Sequence, residues 1–157
     1  MRISFGCDKA GRTLADELIR HAENLGHRHV DCGASGDEPS DYPVYAERVA
    51  GKVLSEECDF GVVICGTGIG MSMAANKLRG IRCALCSDCY SAKMARAHNN
   101  ANLIALGART IGTELAKMIL DSFLTTSYTG ERHQRRVEMI AKLEAGETLA
   151  SDGSGSA

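Results

Sequence analysis

One segment constrains this chain more than any other, a buried strand that breaks into a glycine turn. Phe60-Gly61-Val62-Val63-Ile64 is short, apolar and uncharged, which is the pattern of a strand covered on both faces. It runs directly into Cys65-Gly66-Thr67-Gly68-Ile69-Gly70. Glycines there let the backbone turn sharply and bring N–H groups close to a ligand, and helix formers resume from Met71 to Leu78. A strand, a tight glycine turn and a helix N-terminus together make an anion site. Cys65 at its mouth adds a nucleophile or base whose thiolate those N–H groups and the helix dipole stabilise. A plain strand–helix turn with an inert buried thiol fits the same residues.

Elsewhere apolar runs alternate with helical patterns. Arg2–Gly6, His29–Cys32, Phe60–Cys65, Arg82–Cys86 and Leu103–Leu106 read as strands. Leu14/Leu18/Ala22/Leu25, Tyr45–Leu54, Met71–Leu78, Ser91–Ala97 and Glu114–Leu124 read as the helices between them, and Arg132–Glu144 as a last helix with Val137, Ile140 and Ala141 on one side. The alternation predicts an α/β fold, one doubly wound, Rossmann-like domain with a parallel five-stranded sheet, helices on both faces and a C-terminal helix. Residues 1–145 form that domain, and 146–157 form a flexible polar tail with nothing to pack. Ligands of such sheets collect beyond the carboxyl ends of the strands. Asp8, Asp41, Tyr42, Cys65 and Arg109 fall there.

With 157 residues and a formal net charge of −2, the chain offers no bulk electrostatic case for nucleic acid or an anionic membrane. Its start has no apolar h-region and no run is long enough to span a bilayer, so a soluble cytoplasmic protein is expected. Seven cysteines, odd in number and irregular in spacing, read as reduced thiols rather than a disulfide scaffold. Cys83 and Cys86 lie at odd spacing in an expected strand and so point to opposite faces, which removes a metal motif; no metal or cofactor is expected. There is no G-x-x-x-x-G-K-[ST], and the sixth residue beyond Cys65 is Met71, where a thiol phosphatase would need arginine.

Two further groups each carry two readings. Arg132, His133, Arg135 and Arg136 crowd the first turns of the last helix, where the macrodipole disfavours cations. They are either solvated surface groups or one face that grips a phosphate. His98 shares a helix face with Tyr90 and Met94. It is either a satisfied boundary histidine or a proton carrier facing a pocket.

Gly6-Cys7-Asp8, Ser40-Asp41-Tyr42-Pro43, Cys65-Gly66-Thr67-Gly68-Ile69-Gly70, Ala74-Ala75-Asn76-Lys77, His98-Asn99, Gly107-Ala108-Arg109 and Arg132-His133-Gln134-Arg135-Arg136 follow one another in the order found in the ribose-5-phosphate isomerase B and galactose-6-phosphate isomerase family. The chain resembles that family from its N-terminus to about Leu143. The resemblance implies a metal-free aldose–ketose isomerase that interconverts ribose 5-phosphate and ribulose 5-phosphate through an enediolate. By motif position Cys65 is then the base, Thr67 steadies it, and the backbone N–H groups of Gly66, Gly68, Ile69 and Gly70 hold the developing oxyanion. His98 and Asp8 open the furanose ring, with Asp41, Tyr42 and Asn99 at the substrate. Arg109 holds the phosphate together with Arg132, His133 and Arg136 of a neighbouring subunit, in a homodimer or a dimer of dimers with composite sites. Some family members carry a glutamate base where this chain has Met71. Lys9 stands where the family usually has histidine, which keeps a cation for phosphate but loses the ring's donor geometry. The same loop serves six-carbon and four-carbon sugar phosphates in related isomerases. A non-catalytic sugar-phosphate sensor would keep the basic cluster without needing Cys65. A flavodoxin-like carrier would share the sheet, but three Phe, four Tyr and no Trp leave little to flank a flavin.

Overall fold

Each of the five expected strands forms, and every pair of neighbours runs parallel. The computed structural model describes residues 1–35 and 40–149. Its strands are β1 (Arg2–Cys7), β2 (Arg28–Asp31), β3 (Phe60–Cys65), β4 (Cys83–Leu85) and β5 (Leu103–Gly107). Between and after them come α1 (Arg12–Asn24), α2 (Tyr42–Leu54), α3 (Ile69–Ala75), α4 (Cys89–Asn99), α5 (Thr113–Leu124) and α6 (Arg132–Glu144). The sheet order is β2-β1-β3-β5-β4. Position follows composition: β5 is buried throughout and β3 everywhere except Phe60, so both sit inside, while the short, partly exposed β2 and β4 take the edges.

Successive side chains of each inner strand enter opposite layers. Val62 and Ile64 join Phe5, Ile104 and Leu106 against α1, α4 and α5, where Leu18, Ala92, Ile119, Leu120 and Phe123 meet them. Val63 and Cys65 face the other way, towards Tyr45, Ala46 and Val49 of α2 and Met71 and Ala75 of α3. Cys83 and Cys86 fall in these two different layers, as their odd spacing predicts. Burial pushes the Cys83 thiol up to about 12 and that of Cys86 up to about 11, so both are inert packing groups.

Where element ends differ from expectation, local hydrogen bonds explain it. α2 begins at Tyr42, because Pro43 suits a first helical turn and Asp41 takes the N-cap; Tyr42 is therefore helical rather than a loop residue. α3 stops at Ala75 instead of Leu78. Asn76 folds back onto the edge strand, its Oδ1 accepting from the Cys83 amide and its Nδ2 donating to the Cys83 carbonyl, both at 2.8 Å. α4 starts two residues early, at Cys89, since the Asp88 carboxylate accepts from the Ser91 amide at 2.7 Å and caps the helix. The last helical residue is Glu144, and residues 150–157 of the expected tail lie outside the described residues.

Phe5, fully buried against α1 and α5, is the largest side chain that β1 gives the core. Phe5→Ala should lower the free energy of unfolding by about 3–5 kcal/mol in urea titrations, whereas truncating the exposed Leu25 should change it by less than about 0.5 kcal/mol.

Candidate active site

Because β1 lies between β2 and β3, the chain leaves β1 in one direction and returns on its other side, which opens a crevice at the carboxyl ends of β1 and β3. β5 inserts next to β3, so its end borders the same crevice. Asp8, Cys65 and Arg109 follow these three strands and converge there.

Cys65 is buried, and its sulfur accepts from the Gly68 amide at 3.1 Å. An amide aimed at the sulfur stabilises negative charge on it. Gly68 holds that amide in place through a left-handed conformation, φ +76°, where a side chain would also strike Leu85 and the backbone of Leu106. Thr67 is exposed, and its hydroxyl accepts from the Ile69 amide at 3.4 Å. The contact expected between Thr67 and the thiol is made by Gly68 instead, since the turn aims the backbone inward and the Thr67 side chain outward. Past Ile69, the first amides of α3 have no partner inside the helix, which leaves Gly70 and Met71 as donors.

Three more elements frame this loop. After β1, the Asp8 carboxylate caps a short 3-10 turn by accepting from the Gly11 amide at 2.9 Å, and the Asp8 amide donates to the Ile64 carbonyl at 3.2 Å. Lys9 is exposed on that turn, its amide bonded to Ser40 Oγ at 3.0 Å. Tyr42 lies against Gly70 closely enough that a Cβ there would sit 2.6 Å from its ring, so the glycine is required by the tyrosine, with Asp41 exposed just before it. Opposite, the Arg109 amide donates to the Gly66 carbonyl at 2.9 Å and its side chain passes over Gly66. Leu85, the exposed end of β4, completes the rim beside Gly68; its edge position gave no signal in the sequence.

The remaining expected residues stand elsewhere. α4 runs back from the carboxyl edge of the sheet and delivers His98 and Asn99 to its amino edge, just before β5 begins. His98 stacks on His133 there, ring centroids 4.0 Å apart and planes 10° apart. Thr129 ties the start of α6 to the same corner through the Ala97 carbonyl, so Arg132, His133 and Arg136 gather around His98. β5 alone spans roughly 16 Å at about 3.3 Å per residue, and it separates this cluster from Cys65. The sequence-based grouping of Cys65, Thr67 and His98 within one chain is therefore corrected. Parallel strands put loops and helix C-termini at opposite edges, and the chain splits its candidate residues between them.

Next to the amino-edge cluster a cavity of about 680 Å³ opens between α6, α4 and β4, with Asn99, Ile81, Cys83, Ile140 and Leu143 in its wall. α6 is nearly bare: of its side chains only His133 is buried, and Ile140 and Leu143 are exposed. No helix among the described residues is long and apolar enough to cross a membrane.

A family profile described as Ribose/Galactose Isomerase matches residues 3–140. The chain is 48% identical over 143 residues to ribose-5-phosphate isomerase B of Escherichia coli strain K12, which covers 91% of this chain and 96% of that protein. Among solved structures it resembles the ribose-5-phosphate isomerase B of Clostridium thermocellum with a TM-score of 0.91 at 44% identity, covering 93% and 99% of the two chains. The type B ribose 5-phosphate isomerase of Trypanosoma cruzi matches with a TM-score of 0.88 at 44% identity, covering 92% and 97%.

Burial, then the facing His98 and the Arg132 and Arg136 cations, hold the His133 imidazole below its ordinary 6.5. The unfolded chain therefore takes up this proton at a higher pH than the folded chain does. Its contribution to stability is complete above about pH 6.5 and is lost as the pH falls below that value. Thermal melts should show a lower midpoint at about pH 5 than at about pH 7.5, and His133→Asn should flatten part of that slope. An unchanged slope would mean that the stacked pair does not sense acid.

Proposed function

Because this chain belongs to the Ribose/Galactose Isomerase family, we propose that it interconverts ribose 5-phosphate and ribulose 5-phosphate with Cys65 as the base. The chain is an aldose–ketose isomerase of the ribose-5-phosphate isomerase B type. The observation that carries the Cys65 assignment is its place at the crevice between β1 and β3, with the Gly68 amide on its sulfur.

The substrate enters as a closed furanose, and its ring must open before the C2 hydrogen becomes acidic. Of His98 and Asp8, one gives a proton to the ring oxygen and the other takes one from the anomeric hydroxyl, so the C1–O4 bond breaks and an aldehyde forms. The Cys65 thiolate then removes the C2 proton. Electrons flow to the carbonyl oxygen, and the resulting enediolate charge falls at the Gly66-to-Gly70 turn, where the Gly70 amide has no helical partner while the Gly68 amide stays on the Cys65 sulfur. Cys65 returns the proton to C1 as the proton of the C2 hydroxyl passes to the C1 oxygen, which leaves ribulose 5-phosphate with a C1 hydroxyl, a C2 carbonyl and the proton count unchanged. Lys9 and Arg109 face the phosphate, Asp41 and Tyr42 the sugar hydroxyls.

Arg132, His133, Arg136, His98 and Asn99 complete this site from a second copy in a homodimer, alone or as half of a tetramer. Two observations support that reading: the wrong-edge location of all five residues in their own chain, and the uncovered apolar side of α6. Residues 1–145 act as one domain, working in the cytoplasm.

Cys65→Ala should lower kcat by about 10²–10⁴ on ribose 5-phosphate with the fold intact, and near wild-type kcat would move the base elsewhere. A panel with allose 6-phosphate, galactose 6-phosphate and erythrose 4-phosphate tests the substrate. Refolding inactive Cys65→Ala together with inactive Arg136→Ala should return roughly a quarter of wild-type activity, since half the dimers are mixed and each holds one intact site. Cys65→Ala with His98→Ala should recover equally, and His98→Ala with Arg136→Ala not at all. No recovery in either Cys65→Ala pair, with mixed dimers confirmed present, would refute the shared site.

A further inference from the structure

Arg96 is a buried cation that the chemistry above does not use. It is 9% exposed, and among the described residues no carboxylate pairs with it; the charge that bears on it is a like one, Arg82. Its Nη1 donates to Asn100 Oδ1 at 2.9 Å and to the Ala101 carbonyl at 2.6 Å, while Nε has no partner. The guanidinium carbon lies 4.5 Å from the Phe60 ring centroid and 5.7 Å from that of Phe123, and the two rings meet edge to face at 5.4 Å.

A guanidinium keeps its proton in any protein interior, so this burial costs free energy that an apolar side chain of similar length would avoid. Cation–π contacts offset only part of it. What the charge obtains is control of one turn. α4 ends at Asn100 in the left-handed region, φ 46° and ψ 42°, a helix end that asparagine accommodates more easily than most residues and whose direction its hydrogen-bond partners fix. Arg96 holds the turn from inside. From outside, Arg82 Nε donates to the carbonyls of Asn99 at 3.2 Å and Asn100 at 3.0 Å. His98 and Asn99 lie between the anchor and the anchored turn.

We propose that Arg96 is a positioning residue for ring opening, clamping the Asn100–Ala101 turn so that the last turn of α4 presents the His98 imidazole to the furanose. This rests on the reading of His98 given under the proposed function. The phenyl rings of Phe60 and Phe123 set the height of the clamp, because they fix the guanidinium between β3 and α5. A misplaced imidazole slows a step that breaks no bond to the C2 hydrogen, which separates this role from damage at Cys65.

The experiment uses the full chain and ribose 5-phosphate carrying hydrogen or deuterium at C2. Arg96→Met, whose unbranched side chain fills the slot, should fold and melt at or above the wild-type temperature. Its kcat should fall about 10²-fold, the cost of a small misplacement, with a C2 isotope effect of unity as ring opening becomes the slow step. Arg96→Lys, which keeps the charge but not the fork, should recover part of the rate. His98→Ala should show the same isotope signature, and the double variant Arg96→Met/His98→Ala should lose no more than His98→Ala alone. A loss with an isotope effect kept or enlarged, no loss in either Arg96 variant, a double variant that falls further, or failure of both variants to fold would each overturn the proposal and leave the function reading intact. If His98→Ala itself keeps full activity or a large isotope effect, the ring-opening role of His98 fails, and the role of Arg96 falls with it.

Discussion

Parallel register brings the ends of three strands to one level. Cys7 at the end of β1 pairs with Ile64, and Cys65 at the end of β3 pairs with Gly107 at the end of β5. The loops after these strands therefore start side by side, and a thiol, a carboxylate and a guanidinium from distant parts of the chain share one crevice. The same register fixes what the crevice lacks. Each crossover helix must carry the chain back to the amino edge, so a residue in the last turn of such a helix stands a full strand length from the loop. His98 obeys this rule, and no side-chain motion within one chain reverses it.

Within the crevice it is the backbone, more than any side chain, that meets the Cys65 thiol. The Gly68 amide meets the sulfur, and its left-handed turn is what allows the approach. Exposed Thr67 turns its hydroxyl to the Ile69 amide, so in this chain alone it braces the turn beside Cys65 rather than touching the sulfur. Tyr42 presses on Gly70 from α2, on the same layer of the sheet that Cys65 faces. Movement of α2 would thus be felt at the amides that open α3.

Much of this was legible in the sequence, for definable reasons. β3 and β5 are uniformly apolar because both of their faces are covered, and that pattern has no competing reading at such short length. The glycine turn was visible because its glycines answer steric demands. α6 matched residue for residue, since a charged start and an alanine-flanked end bound an unbroken helical pattern. Less legible were ends set by side chains that fold back, such as Asn76 closing α3 onto Cys83. Strand order was not legible at all. It follows from packing between elements far apart in the chain, and it alone determines that Arg109 joins Cys65 while His98 does not.

The bare side of α6 links the energetics of assembly to the placement of the site. A lone helix whose apolar residues stay in water gains little from packing, yet this one holds its 13 residues with His133 as its only buried side chain. Apolar Ile140 and Leu143 lie on the helix that also carries Arg132 and Arg136, so whatever covers the former brings the latter into register with a surface. Covered by a second copy, as proposed above, they would deliver these cations and the His98 corner to the crevice that holds Cys65 and Asp8. Activity in such an arrangement depends on assembly by construction. Under that proposal an isolated chain would hold Cys65 and its amides in place and lack the His98 corner.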